Sequence, residues 1–131
     1  MIKLMSPLTA EQELLIERTI KHCSEVHKAL GPGLLENIYS RAIALELTAA
    51  AIPFEREKSY PVIYRGEVLC QQRLDFVVAD TFVLEIKSIE AIAPVHRAQL
   101  LSYLRISKLR VGLLMNFNVA LLKDGLVRRV L

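Results

Sequence analysis

The spacing of apolar residues changes from a helical period to a β alternation at Ile52-Pro53-Phe54, and that change limits the chain to a mixed α/β fold with helices first. Before it, "TAEQ" at residues 9–12 has the form of a capping box, with Thr9 placed to cap a helix and Gln12 to reach back. Leu15, Thr19, Cys23, Val26 and Leu30 then recur at helical spacing up to the breaker Gly31-Pro32-Gly33, so the first helix ends near Leu30. A second helix is predicted over residues 34–51, with one stripe formed by Leu35, Ile38, Ala42, Leu45 and Ala49. The adjoining row is Glu36, Tyr39, Ile43 and Leu47. Glu36 heads an otherwise apolar row and is expected to face the protein, which is costly for a carboxylate without partners.

Beyond Phe54, alternation predicts strands over residues 58–64 and 68–78 around a turn at Arg65, Gly66 and Glu67. "FVLEIKS" is a third strand; Pro94 introduces a helix over residues 95–106; "LRVGLLMNF" and "LVRRVL" are two further strand-like segments. The order ααβββαββ implies a mixed β-sheet flanked by helices. A length of 131 residues, 53% of them hydrophobic, suits one domain spanning residues 1–131 with a single core. Charged residues interrupt every apolar run before it reaches membrane-spanning length, and "MIKLMSPLTA" is too short in apolar residues for a signal peptide. The expectation is a soluble, cytoplasmic protein without a membrane partner. Cys23 and Cys70 lack the paired spacing of a zinc site or redox dithiol and read as reduced core thiols. The net charge of +3 permits a polyanionic partner without requiring one.

The stretch "LDFVVADTFVLEIKS" places Asp75, Glu85 and Lys87 among apolar strand residues. Glu85 and Lys87 share one face of their strand, while Leu84 and Ile86 point the other way. A three-residue loop of Ala79, Asp80 and Thr81 sets Asp75 opposite Glu85; a two-residue loop would shift the register by one. Like charges across a strand pair destabilise a sheet unless something positive lies between them. Carboxylate oxygens suit Mg²⁺ or Mn²⁺, and Glu36 could supply a third ligand. Lys87 would then orient or deprotonate a water, or neutralise charge on a phosphate. The alternative is a solvated ion pair with Asp75 as a third surface charge, worth under about 1 kcal/mol.

Asp75, then Glu85-x-Lys87 at the junction of two strands, followed by a helix and a strand, resembles the PD-(D/E)XK nuclease superfamily. "GLLENIY" at residues 33–39 is similar to the Gly-x-x-Glu-x-x-Tyr signature of its GxxExxY family, and "EVHKALGPG", "HRAQLLSYL" and "MNFNVALLKDG" resemble that family's other blocks. The resemblance implies a restriction endonuclease-like core with a metal site at one sheet edge. It implies a Mg²⁺- or Mn²⁺-dependent nuclease hydrolysing phosphodiester bonds, with nucleic acid, DNA in particular, as the partner. Asp75 and Glu85 would be metal ligands, Lys87 the catalytic lysine, and Glu36 an acid contributed by the helix. Gln99 and Tyr103 match a Gln-x-x-x-Tyr element on the following helix, where Gln99 would fix Lys87 or the substrate. Leu74 stands where the name-giving Pro would be. The competing reading is a catalytically silent module that binds nucleic acid or protein on the same fold. Specificity would come from a homodimer or a partner protein.

Other residues carry two readings each. His96, just after Pro94 at the start of a helix, could touch a phosphate or a carboxylate near the site or be a partly exposed helix-terminal histidine with no catalytic role; His27 reads as a structural hydrogen bond, and His22 as solvent-exposed. Tyr39 could support the Glu36 carboxylate or be a core aromatic with a satisfied hydroxyl. Arg56, Lys58, Arg65, Arg73, Arg128 and Arg129 could line a nucleic-acid groove or alternate on the wet face of a sheet.

Overall fold

The computed structural model describes residues 6–131; the N-terminal stretch weighed above as a leader begins outside them, at residues 1–5. Helix α1 (Ala10–Leu30) and helix α2 (Glu36–Ala49) come first. Strands β1 (Phe54–Tyr64), β2 (Glu67–Val78) and β3 (Phe82–Lys87), helix α3 (Pro94–Ser107), strand β4 (Val111–Asn116), a 3₁₀ turn at Leu122–Gly125 and strand β5 (Leu126–Val130) complete the order read from the sequence. The sheet runs β1-β2-β3-β4-β5, antiparallel except for the β3–β4 pair, which α3 connects. This is the mixed, helix-covered sheet of a restriction endonuclease-like fold. Among the described residues, no helix is long and apolar enough to cross a membrane.

Local chemistry sets the helix ends. Gln12 N–H donates to Thr9 Oγ1 while Thr9 N–H donates to Gln12 Oε1, so the capping box forms in full. At α3, Ala93 N–H donates to His96 Nδ1, half of such a box; alanine has no acceptor with which to return the bond. Each face of the sheet carries its own core. Phe76, Val78, Phe82, Leu84 and Ile86 pack under α1 and α2 against Ile16, Cys23, Tyr39, Ile43 and Leu47. Leu74, Val77, Val83 and Leu114 pack under α3 against Leu100, Tyr103 and Leu104. Close approach of α3 depends on Gly112, where a Cβ would stand 2.8 Å from Leu100 Cδ1.

Several expectations are corrected. Of the two apolar rows on α2, the one containing Tyr39, Ile43 and Leu47 is buried, while Leu35 and Leu45 are 76% and 74% exposed. A helix lying on a sheet and a second helix buries only one side, and α2 carries more apolar surface than that side accepts. Leu30 is exposed because α1 outlasts the core at its end. Strand β1 begins at Phe54, four residues earlier than the alternation suggested, because Pro53 stands outside the β1–β2 ladder and costs it no hydrogen bond. Cys23 is buried and its thiol is pushed up to about 12, chiefly by burial, whereas Cys70 is exposed. His22 is not free in solvent: its Nδ1 lies 3.1 Å from Glu46 Oε1 on α2. His27 is buried, as a structural role requires, and Nε2–H donates to the Val119 carbonyl at 2.8 Å.

The β1–β2 hairpin contains the main departure from regular geometry. Phe54, Phe76 and Val78 face the α1–α2 core, yet Tyr60 and Leu74, also at even positions, face α3. Side-chain alternation therefore inverts between the pairs Arg56–Phe76 and Lys58–Leu74. Glu57 and Asp75, which lie between those pairs, are unpaired, and Glu57 has φ 58°, a left-handed conformation costing a non-glycine residue about 1–2 kcal/mol. Because β2 pairs with β3 only over Phe76–Val78, the hairpin beyond this point projects as an arm ending in the turn Arg65-Gly66.

Candidate active site

Strands β2 and β3 are joined by Ala79, Asp80 and Thr81, and pair Phe76 with Leu84, Val77 with Val83 and Val78 with Phe82. Continued by one residue, that register sets Asp75 opposite Glu85, as the three-residue loop predicts. The backbone ladder stops there and the strands fork. In its place, Asp75 N–H donates to Glu85 Oε1 at 2.9 Å and Ile86 N–H donates to Asp75 Oδ2 at 2.8 Å. Each carboxylate thus satisfies a backbone donor of the opposite strand, which holds both acids across the fork while leaving each a second oxygen.

The electrostatics of this pair oppose its carrying two negative charges. Glu85 is 4% exposed. Burial first, and the neighbouring Asp75 carboxylate second, hold its pKa well above the usual carboxylate range, with the Asp75 N–H and the Lys87 ammonium offsetting part of the rise. The bland alternative, a solvated strand-face ion pair, does not describe a carboxylate this deeply enclosed.

Lys87 projects on the same side as Glu85, toward α3, where Nζ donates to Gln99 Oε1 at 3.1 Å. On the same side, Gln72 Nε2 donates to Tyr103 Oη at 3.3 Å from the arm. Burial, then Glu85 and Asp75, push the Tyr103 phenol up to about 12, so it stays protonated and able to donate. The i, i+4 spacing of Gln99 and Tyr103 therefore lines one side of the fork, as the sequence suggests.

Glu36 does not lie where the apolar row implied. It is the first residue of α2 and exposed, because the row enters the core only from Tyr39 onward. Protein atoms around its carboxylate raise its pKa; the Asp75 charge adds to the rise, and the Lys87 ammonium and Ser88 N–H oppose it. Glu36 is thus close enough to sense the fork. Among the described residues, however, no three His, Cys, Asp or Glu side chains converge into a metal-holding set, so the three-carboxylate cluster is not formed. The donor set present is two carboxylates, which fits a hard divalent ion that retains waters and takes phosphate oxygens as further ligands.

The spacing Gly33-x-x-Glu36-x-x-Tyr39 has a mechanical role. Gly31 and Gly33 have φ 69° and 98°, and Tyr39 clamps this loop by donating its hydroxyl to the Gly31 carbonyl and accepting from Leu34 N–H. Ser88 Oγ then donates to the Leu34 carbonyl at 2.6 Å, pinning the start of α2, and so Glu36, to the residue after Lys87. Tyr39 itself is fully buried against Phe117, with ring centroids 4.6 Å apart, and serves as that clamp, not as a partner of Glu36. His96 is committed to the start of α3.

Asn116 and Gln72 carry roles the sequence reading did not assign. Asn116, buried and paired with Lys87 across β3–β4, donates through Nδ2 to the Ile89 carbonyl and accepts from the Ile89 and Asn118 amides. A polar residue closing an apolar strand beside the motif strand was its only signal. Of the basic residues considered for a groove, Arg56 bonds Ser40 and Asn37, Lys58 pairs with Glu55 and Asp80, Arg73 with Glu57, and Arg128 with Glu13. Arg65 and Arg129 have no ion-pair partner among the described residues.

A family model described as the PD-(D/E)XK nuclease superfamily matches residues 13–130, a span that contains every element described above except the start of α1 and the last residue. No curated protein and no solved structure matches the chain.

Proposed function

The chain belongs to the PD-(D/E)XK nuclease superfamily, and from that premise we propose that it hydrolyses phosphodiester bonds in DNA with Mg²⁺ or Mn²⁺ held by Asp75 and Glu85. The observation that carries this reading is the forked pair of acids, a buried Glu85 and a half-buried Asp75 with Lys87 beside them, an arrangement whose repulsion a cation would relieve. A divalent ion bound there would neutralise phosphate charge and lower the pKa of a water. Lys87, held at one end by Gln99, positions that water or donates to a phosphate oxygen as negative charge builds. Tyr103 offers a second O–H donor on the same side. Glu36, pinned by Ser88, borders the site and would act through water, not as a direct ligand. Placement in the GxxExxY family rests on the four sequence blocks and on the Tyr39 hydroxyl, which bridges Gly31 and Leu34 on either side of the signature's Gly33. Target choice would come from a second copy of the chain or a partner protein.

The test is incubation of the purified protein with linear, circular and single-stranded DNA, in Mn²⁺ or in EDTA, beside Lys87→Ala. Cleavage that needs the metal and Lys87 is the expected result. Binding without cleavage in every metal condition would instead identify a silent binding module.

A further inference from the structure

Among the described residues, Glu57 is the only strand residue with a left-handed backbone, and it lies opposite Asp75 at the point where β1 and β2 turn over. Its own side chain is exposed and meets only Arg73, at 3.8 Å, so the carboxylate does not reach the fork. The backbone is what matters at this position. With Glu57 extended, the alternation of Phe54, Phe76 and Val78 would continue outward, turning Leu74 and Gln72 away from α3 and restoring Asp75 to the β1 ladder. As folded, Asp75 is free of that ladder, its N–H meets Glu85 Oε1, and Gln72 is carried beneath the Tyr103 hydroxyl. A strand irregularity next to a site commonly re-aims a side chain in this way.

We propose that Glu57 is a positioning residue: its left-handed conformation is the pivot that presents Asp75 to Glu85 and seats the arm's Gln72 on Tyr103. The inference rests on the nuclease reading for its catalytic meaning, but the geometry it describes stands apart from catalysis. Residue type at position 57 then acts through the backbone. Glycine adopts φ > 0 freely, asparagine tolerates it, and β-branched valine resists it most.

The experiment compares wild type, Glu57→Gly, Glu57→Asn and Glu57→Val by hydrogen exchange at the Asp75 and Ile86 amides, by Mn²⁺-dependent DNA cleavage with kcat and KM separated, and by thermal melting. Glu57→Gly and Glu57→Asn are expected to keep both protected amides and wild-type kcat. Glu57→Val is expected to melt cooperatively yet lose at least about tenfold in amide protection and in kcat, the scale of one forced backbone change, with KM little altered. Should the valine variant fail to fold, Glu57→Ala takes its place, with a smaller loss in the same two readouts. Wild-type protection in the folded valine or alanine variant overturns the proposal. So does an equal loss in Glu57→Gly, which would show that the carboxylate and not the backbone matters. Amide protection that follows the series in a protein that cleaves nothing would keep the pivot and sink the nuclease reading. Cleavage by wild type with amides unaffected across the series would keep that reading and sink the pivot.

Discussion

Two carboxylates of this molecule, one partly exposed and one buried, are driven in opposite directions. Glu13 on α1 accepts both guanidinium nitrogens of Arg128 on β5, and a bond from Ser6, which lower its pKa to about 2. Glu85 at the β2–β3 fork faces another carboxylate, and burial and that neighbour raise its pKa well above the ordinary range. The first is a clamp whose charges satisfy each other and tie the first helix to the last strand. The second sets two acids side by side, so that one of them holds its proton more tightly than an ordinary carboxyl. A fold can keep such a site only because ladder, clamp and two cores elsewhere make the structure stable enough to carry it.

The widest separation between the two regions is expected in catalysis. Lys87→Ala should lower cleavage about 10²–10³-fold, the loss typical of one preorganised electrostatic donor, while Glu13→Gln should leave the rate unchanged. Lys87→Arg should rescue little, because a planar guanidinium does not replace a compact ammonium next to Gln99. Wild-type rates in Lys87→Ala would remove it from the mechanism and leave the fork without a catalytic lysine.

Metal response comes next. Adding Mn²⁺ at a hundredfold excess over Kd should stabilise the wild type by about 2.7 kcal/mol and Asp75→Asn by much less. In EDTA the order should reverse, with Asp75→Asn melting at or above wild type: the asparagine oxygen can still accept the Ile86 N–H, and the repulsion with Glu85 is gone. Thermal melts of both proteins in both conditions decide this, and equal responses would mean that Asp75 is not a ligand.

The pH dependence of stability should carry opposite signs at the two sites. Glu85 has a folded pKa above its unfolded value, so the metal-free fold holds a proton that the unfolded chain releases from about pH 4.3 upward. Its contribution is fully present below that pH and is lost as pH rises through the folded pKa; Glu85→Gln should remove that downward slope. Glu13 behaves in the reverse sense. Its contribution is present above the unfolded pKa of about 4.3 and is lost as pH falls toward about 2, and Glu13→Gln should flatten the acid limb. Urea unfolding from pH 3 to 8 would read both, and a common sign would break the comparison.

The smallest effect is the clamp's own contribution at neutral pH. Glu13 and Arg128 are each about a third exposed, so solvent screening should hold the loss in Glu13→Gln to about 1 kcal/mol or less. A larger loss would mean that the α1–β5 contact organises more of the fold than its exposure suggests.

The fork itself was legible early, because strand alternation and a three-residue loop suffice to set Asp75 opposite Glu85 and Lys87 on the face of Gln99. The capping box at Thr9 was legible for a similar reason: all its partners lie within one turn. The placement of Glu36 was not, since a helical row says which residues share a side and not how far along that side the core extends. The same limit applies to α2's two apolar rows, of which only the row of Tyr39, Ile43 and Leu47 found a partner surface.

By itself, then, the sequence determined the element order, the motif spacing and the register of the one short hairpin, all of which depend on contacts a few residues apart. Tertiary structure alone decided that Glu57 abandons the strand conformation, that Gln72 meets Tyr103 across 31 residues, and that Asn116 ties the segment after Lys87 to the end of β4. Nothing local favours a left-handed glutamate in a strand. It persists because the arm must lie on α3 while the base of the same hairpin lies under α1 and α2, and burial on two opposite faces outweighs the preference of one residue.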